Sequence, residues 1–242
     1  WLKCHIPIMY SGLLYISCLK VSNMIWYSKR TWDMPFFKKE NTEIYFVHIP
    51  RTAGRYVTEL FSFNNYDGEY TDVLGSYTVN DLIAAHIHYP FYNYYLEADR
   101  CENFAIVRNP IDKIWSAIDI SYKRKRSLYN QETFMKDLED MSFFCDYIDY
   151  ERSHNSYVCN WFRPQIDFVS HKTHVYKFEK GIDSNLSKWL NKTFNLDLNT
   201  LNERKYPRMQ EETLYPQKYQ ITRKIKRNIK EYYIEDFRKF NY

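Results

Sequence analysis

The stretch Glu43-Ile44-Tyr45-Phe46-Val47-His48-Ile49-Pro50-Arg51-Thr52-Ala53-Gly54-Arg55-Tyr56 decides how the rest of the chain is read. Glu43 to His48 is a compact β-branched and aromatic run bounded by Pro50 and Gly54, which reads as a buried strand entering a tight loop. Val57, Leu60 and Phe61 then recur at helical spacing. A loop that joins a strand to a helix N-terminus offers unpaired N–H groups at the positive end of the helix dipole, where a phosphate or sulfonate can sit. Gly54 lets the backbone approach such an anion closely, Thr52 can donate a hydroxyl hydrogen bond, and Arg51 supplies a forked positive charge. Taken alone, the same residues also describe an ordinary strand-to-helix turn with exposed arginines.

The pattern repeats twice further along. Phe104 to Val107 is a second apolar run; it ends at Arg108, and Ile111, Ile114, Trp115 and Ile118 resume a helical period with Asn109 as N-cap and Pro110 at the first helical position. Val175 to Phe178 is a third, followed by Asp183 as the cap of an amphipathic segment containing Leu186, Trp189 and Leu190. Three strand-to-helix units predict an α/β fold with a central parallel sheet flanked by helices. Arg108 at a strand end and Ser116 about two helical turns onward form a second cradle only if the loop curls back over the helix start. Two cradles suggest a ligand with two separated anionic groups. Towards the C-terminal end, Ile221, Ile225, Ile229, Tyr232, Tyr233 and Phe237 predict one long surface helix over Tyr219–Phe240.

Between the cradles lies Ala85-His86-Ile87-His88-Tyr89-Pro90. Histidine is the side chain best suited to take a proton from a hydroxyl near neutral pH. Strand alternation puts His86 and His88 on the same side. A lone histidine is more often structural than catalytic, so the functional reading rests on the two flanking cradles.

Composition narrows the classes. A chain of 242 residues, 45% hydrophobic, suits one large domain. The net charge of +4, from 34 Lys and Arg against 30 Asp and Glu, gives no global field that argues for nucleic acid. The basic run Tyr122–Arg126 reads as a solvated helix face or as a guide for an acidic acceptor. Cys4, Cys18, Cys101, Cys145 and Cys159 form no CxxC pair and no zinc-like spacing, so neither a metal site nor a disulfide framework is expected; a Cys145–Cys159 bridge stays open beside the expectation of isolated thiols. Residues 1–42 are set apart as an N-terminal extension. Cys4–Leu19 is apolar and uncharged but short for a bilayer before Lys20 interrupts it, so it is either a truncated membrane anchor or, preferred, an apolar segment packed on the domain.

These elements resemble the PAPS-dependent carbohydrate sulfotransferases, whose members carry a strand followed by HIPKTAG and use 3'-phosphoadenosine-5'-phosphosulfate (PAPS) as sulfonate donor. Val47–Gly54 (VHIPRTAG) is similar to that loop, Val107–Ser116 (VRNPIDKIWS) to the family's VRDPxxRxxSxY element, and Ala85–Tyr89 to its GHxxY element. Phe162-Arg163-Pro164-Gln165, Val175–Glu179 and Tyr232–Phe237 look like the FRPQ, strand-Glu and closing YxxDF segments of bacterial and viral relatives. These elements fall in family order over residues 43–242. The resemblance implies a three-layer, P-loop-like fold and transfer of sulfonate from PAPS to a carbohydrate hydroxyl. It implies donor contacts from Pro50, Arg51, Thr52, Ala53, Gly54, Arg55, Tyr56, Arg108, Ser116 and Arg163. His86 is the implied base and Arg51 the charge at the sulfonate, with His88 as fallback base and no metal. The implied partner is a carbohydrate acceptor, neutral or anionic, rather than nucleic acid. Relatives act either as soluble cytoplasmic enzymes, the preferred reading, or in the Golgi behind an anchor.

The chain departs from the family at informative positions. Arg51 replaces the family lysine, keeping the charge while being bulkier and unable to release a proton readily. Arg55 and Tyr56 stand where relatives often carry Thr or Ser, and Ala85 replaces a glycine. Two other readings remain. A nucleotide kinase shares the strand, anion loop and helix, although the loop lacks the GK[ST] ending. A non-catalytic protein that binds anionic glycans uses the same basic and aromatic residues without turnover.

Overall fold

A computed structural model describes residues 36–69, 78–79, 82–83, 86–89, 92–93, 100–125, 136, 139–140, 160–201 and 221–242, all of them within the compact unit Trp32–Tyr242. The strands are β1 (Phe36–Lys39), β2 (Thr42–Val47), β3 (Asp67–Glu69), β4 (Thr78–Val79), β5 (Leu82–Ile83), β6 (Glu102–Val107) and β7 (His174–Lys177). The described helices are α1 (Gly54–Phe63), α2 (Pro110–Lys125), α3 (Ser184–Phe194), α4 (Arg223–Tyr232) and α5 (Ile234–Phe240). Five strands share one sheet in the order β3-β1-β2-β6-β7, and β4 pairs with β5 separately.

The three strands read from the sequence are β2, β6 and β7, and they run parallel, with Val47 opposite Ala105 and Val107 opposite Lys177. The sheet as a whole is mixed rather than parallel throughout, because β1 pairs antiparallel with β2 and β3 antiparallel with β1. This hairpin also moves the start of the domain. Phe36–Lys39 belong to the sheet, so the boundary expected at Glu43 falls inside it.

Alternation along the strands sorts the core into two faces. Ile44, Phe46, Phe104, Ile106 and Tyr176 point to the layer formed by α1 and α3 through Val57, Leu60, Phe61, Leu186 and Leu190. Tyr45, Val47, Ala105 and Val107 point the other way, where Ile87, Tyr92, Phe168, Val169 and Phe240 cover them. Phe46 and Phe104 are fully buried with ring centroids 5.0 Å apart. Burying each is worth roughly 2–3 kcal/mol, so a one-residue slip that turned them over is heavily disfavoured. A third cluster joins α2 to α4 through Ile114, Ala117, Ile225, Ile229 and Tyr233.

Helix ends follow the sequence closely in two cases. Asn109 Oδ1 accepts the Ile111 N–H at 3.0 Å and starts α2 at Pro110, and Asp183 accepts the Asn185 N–H at 3.3 Å to start α3. The expected single helix over Tyr219–Phe240 is instead two, capped at Thr222 and broken at Tyr233. Tyr233 leaves the helical region (φ −98°, ψ 27°); its ring is buried and its hydroxyl donates to the Phe162 carbonyl at 2.6 Å.

Lys123, Arg124 and Lys125 occupy the last positions of α2, while Arg126 lies outside the described residues. So do residues 1–35 and four of the cysteines, Cys4, Cys18, Cys145 and Cys159. Cys101 is a half-buried thiol in no disulfide, its pKa pushed up to about 11 chiefly by burial. Among the described residues no helix is long and apolar enough to cross a membrane.

Candidate functional site

Because β2, β6 and β7 are parallel, the loops that leave them (48–53, 108–109 and 178–183) emerge at one edge of the sheet, the usual ligand edge of an open α/β sheet. The first loop is unusual in its backbone. Arg51 and Ala53 take positive φ values of 70° and 78°, a left-handed conformation that costs a non-glycine residue about 1–2 kcal/mol. Ala53 is also the N-cap of α1, whose first turn has neither a side-chain cap nor an acidic residue. The first N–H groups of α1 thus meet no side-chain cap, an arrangement in which a helix N-terminus can receive an anion.

Thr52 and Gly54 act differently from their expected roles. The Thr52 hydroxyl is buried and donates to the Ile49 carbonyl at 2.7 Å, so its proton ties the loop to itself instead of facing a ligand. A Cβ at residue 54 would lie 1.8 Å from His48 Nε2. Glycine is required there to seat the His48 ring. Pro50 is buried, Arg55 is exposed on α1, and Tyr56 turns into the apolar layer beside Val57 and Leu60.

The two cradles meet at Arg51. Its Nε and Nη2 donate to Ser116 Oγ at 3.1 and 2.9 Å, joining positions 65 residues apart in the chain. The β2–α1 loop thus reaches the second turn of α2, the approach that a single site requires. Arg108 is aimed by a two-point clamp: its N–H donates to Gln165 Oε1 at 2.9 Å, and Gln165 Nε2 donates to its carbonyl at 2.8 Å. The Arg108 guanidinium lies over the Phe178 ring at 4.8 Å. Beside it the Asn109 N–H donates to Glu179 Oε1 at 2.6 Å, and the Tyr242 hydroxyl donates to Glu179 Oε2 at 2.8 Å.

His86 is 5% exposed, and its Nδ1 is buried without a hydrogen-bond partner. Its ring meets the His48 ring edge-on at 4.6 Å between centroids. Burial holds His86 well below the usual histidine range, with the charges of His48, Arg51 and Lys113 adding to it. His48 is lowered to about 4 by burial. Both imidazoles are therefore neutral at pH 7. His86 and His88 do not lie on a strand, and the shared strand face expected for them is replaced by two separately buried side chains. His88 Nδ1 sits 3.5 Å from Asn160 Nδ2, and its ring faces Phe168.

Arg163 lies behind this arrangement. It is buried, donates from Nε to Asn160 Oδ1 at 3.1 Å and pairs through Nη1 with Asp167 at 3.4 Å. Asn160 in turn donates to the His86 carbonyl at 2.8 Å. The same segment is fixed from two further sides. Lys113, fully buried, donates to the carbonyls of Trp161 at 2.9 Å and Arg163 at 2.7 Å. Asp236 accepts the N–H groups of Gln165 and Ile166, each at 2.9 Å. Burial draws Lys113 down to about 8 against the opposing pull of Asp236 and Asp167.

Sequence reasoning assigned no role to His48, Lys113, Asn160, Gln165 or Asp236. The FRPQ-like and closing-helix segments were visible as motifs. What they grip was not, because each grip is a contact between residues 48 or more positions apart.

The buried imidazoles make stability depend on acid. A histidine whose folded pKa lies below its unfolded value takes up its proton only in the unfolded chain, so stability is complete above about 6.5 and is lost as pH falls towards the folded value. For His48 that window runs from about 6.5 down to about 4. Urea unfolding at pH 7 and pH 4.5 should differ by about 2 kcal/mol less in a His48→Gln protein than in the unaltered chain. Equal acid sensitivity of the two would refute the neutral, buried state of His48.

Among the described residues no cluster of three or more His, Cys, Asp or Glu side chains is arranged to hold a metal ion. The chain matches no family model, no curated protein and no solved structure in the comparisons made.

Proposed function

We propose that this chain transfers a sulfonate group from PAPS to a hydroxyl of a carbohydrate acceptor, and that its mixed α/β sheet belongs to a three-layer, P-loop-like fold. The observation that carries the reading is the Arg51–Ser116 contact at 2.9 Å, which joins the two anion-binding elements beside a buried, partner-less His86 nitrogen. PAPS has two separated anionic ends on one nucleoside, and two linked cradles suit that charge distribution. The uncapped N-terminus of α1 and Arg51 face the 5'-phosphosulfate; Ser116 and Arg108 face the 3'-phosphate.

The reaction asks for positioning and charge stabilisation. The acceptor oxygen forms a bond to sulfur as the bond from sulfur to the bridging phosphate oxygen breaks, and 3',5'-ADP leaves. His86, neutral because it is buried, takes the hydroxyl proton at Nδ1. A bound anion raises the proton affinity of a neighbouring imidazole, so His86 becomes a better base when the donor is present. Arg51 stabilises negative charge on the sulfonate and the departing phosphate without giving up a proton. Asn160, Gln165, Lys113 and Asp236 position these groups and need not touch either substrate.

The test is transfer of labelled sulfonate from PAPS to a panel of oligosaccharides, with Arg51→Ala as comparison. Removing one preorganised donor to a developing oxyanion typically costs about a hundredfold to a thousandfold in rate. Transfer that Arg51→Ala lowers by that factor supports the assignment. No transfer to any acceptor, or undiminished transfer by Arg51→Ala, overturns it.

A further inference from the structure

The helix α4 reads Arg223-Lys224-Ile225-Lys226-Arg227-Asn228-Ile229-Lys230-Glu231-Tyr232. Its buried residues are Ile225, Asn228 and Ile229, and the two isoleucines pack with Ile114 and Ala117 of α2. At about 100° per residue, Arg223, Lys226, Arg227 and Lys230 fall on the opposite side, within an arc of about 100°. All four are exposed, and among the described residues none pairs with a carboxylate. They make a row about 10 Å long.

This row works against its own helix. Arg223 and Arg227, Arg223 and Lys226, Lys226 and Lys230, and Arg227 and Lys230 are like-charge neighbours at helical spacings of three or four, each of which is unfavourable. Arg223 and Lys224 also crowd the positive end of the helix dipole, and the first turn carries no acidic residue. Among the described residues, the acids Glu139, Asp140 and Glu231 line a cleft on the Lys224 and Arg227 side with Lys136 and Asn228, and Glu139 is occupied by the Thr222 hydroxyl at 2.7 Å. The apolar contact with α2 holds the helix in place while its outer face keeps a charge excess that a polyanion would relieve.

The end of α4 is tied to the segment that holds His86. Tyr233 follows it and donates to the Phe162 carbonyl, and the neighbouring Asn160 holds the His86 carbonyl. Among the described residues the row offers no exposed aromatic ring on which a base could stack, since Tyr232 is partly buried against Tyr233 with ring centroids 4.9 Å apart.

We propose that Arg223, Lys226, Arg227 and Lys230 form an exosite for a linear acidic polysaccharide, the extended part of an acceptor chain whose reacting hydroxyl lies at His86. That the polyanion is a carbohydrate rests on the sulfotransferase reading; the row of charge does not.

The experiment titrates a sulfated, carboxylated octasaccharide into the unaltered chain and into a protein carrying Arg223→Gln, Lys226→Gln, Arg227→Gln and Lys230→Gln, at several salt concentrations. Glutamine keeps helix propensity close to that of Lys and Arg. The variant is expected to bind at least about tenfold more weakly near 0.1 M salt, with the slope of log K against log salt smaller by about 3, the value for four lost charge contacts. Its affinity for 3',5'-ADP should be unchanged. Equal affinity and slope in the two proteins would overturn the exosite, as would tighter binding of a single-stranded oligonucleotide of equal charge. If the octasaccharide behaves as expected while 3',5'-ADP fails to bind the unaltered chain, the charged row stands as a polyanion surface and the sulfotransferase reading falls.

Discussion

Replacing His86 with Ala is expected to lower sulfonate transfer by about a hundredfold to ten-thousandfold, the usual contribution of a general base, while 3',5'-ADP still binds. The geometry is what singles out this histidine. Its Nδ1 is buried with no partner, next to Arg51 and His48, whereas His88 Nδ1 lies beside Asn160 Nδ2. The deletion removes only the side chain and leaves the His86 carbonyl that Asn160 grips, so the fold around it should persist. His88→Ala should reduce transfer less than His86→Ala. Transfer rates measured at saturating donor for the two proteins decide the matter, and the reverse order would move the base to His88.

Gly54→Ala is the second substitution with a large expected effect, and here two physical terms oppose each other. Gly54 opens α1, where alanine's higher helix propensity would stabilise by up to about 1 kcal/mol. Against this, the new Cβ would lie 1.8 Å from His48 Nε2 and 2.3 Å from its Cε1. The ring must leave its place against Phe46 and His86, and forced repacking of this kind typically costs about 1–3 kcal/mol. The clash wins, so the net result is destabilisation together with loss of transfer. Adding His48→Ala to Gly54→Ala vacates the space and should recover most of the stability but not the activity. Urea unfolding of the two proteins reads this directly. A Gly54→Ala protein more stable than the unaltered chain would mean that His48 does not occupy the position described.

The legible parts of the molecule are those set by local pattern. β2 and β6 were readable because each is an apolar run buried on both faces, β7 because Val175 to Phe178 is a short β-branched and aromatic run, and α2 and α3 announced themselves with Asn109-Pro110 and Asp183. β1 and β3 were not readable: Asp67-Gly68-Glu69 has no strand propensity of its own, and Phe36–Lys39 is a strand because it pairs with β2. The break at Tyr233 was hidden for the opposite reason. The apolar period continues through it, and the partner that holds Tyr233 at the kink, the Phe162 carbonyl, is distant in the chain.

The site divides along the same line. A strand-to-helix loop rich in donors can be recognised in one dimension, and Arg51 and Ser116 do come together. Gly54 was expected to admit an anion; that it also makes room for the His48 ring was not legible, because a glycine's sequence neighbours do not say what occupies the space beside it. Arg163 was expected at the donor; its guanidinium bonds Asn160 and Asp167 instead, in support of the His86 segment. For an arginine, charge suggests a ligand, and only the burial of its partners reveals a support.

The central claim is that one donor spans both cradles, and comparing 3',5'-ADP with 5'-AMP by calorimetry, without Mg²⁺, tests it most directly. Charge-assisted hydrogen bonds contribute about 1.5–3 kcal/mol each, so a 3'-phosphate held by Arg108 and Ser116 should make 3',5'-ADP bind at least about tenfold more tightly. Ser116→Ala should shrink that difference. Equal affinity for the two nucleotides, or binding of ATP that requires Mg²⁺ with none of 3',5'-ADP, would contradict the account.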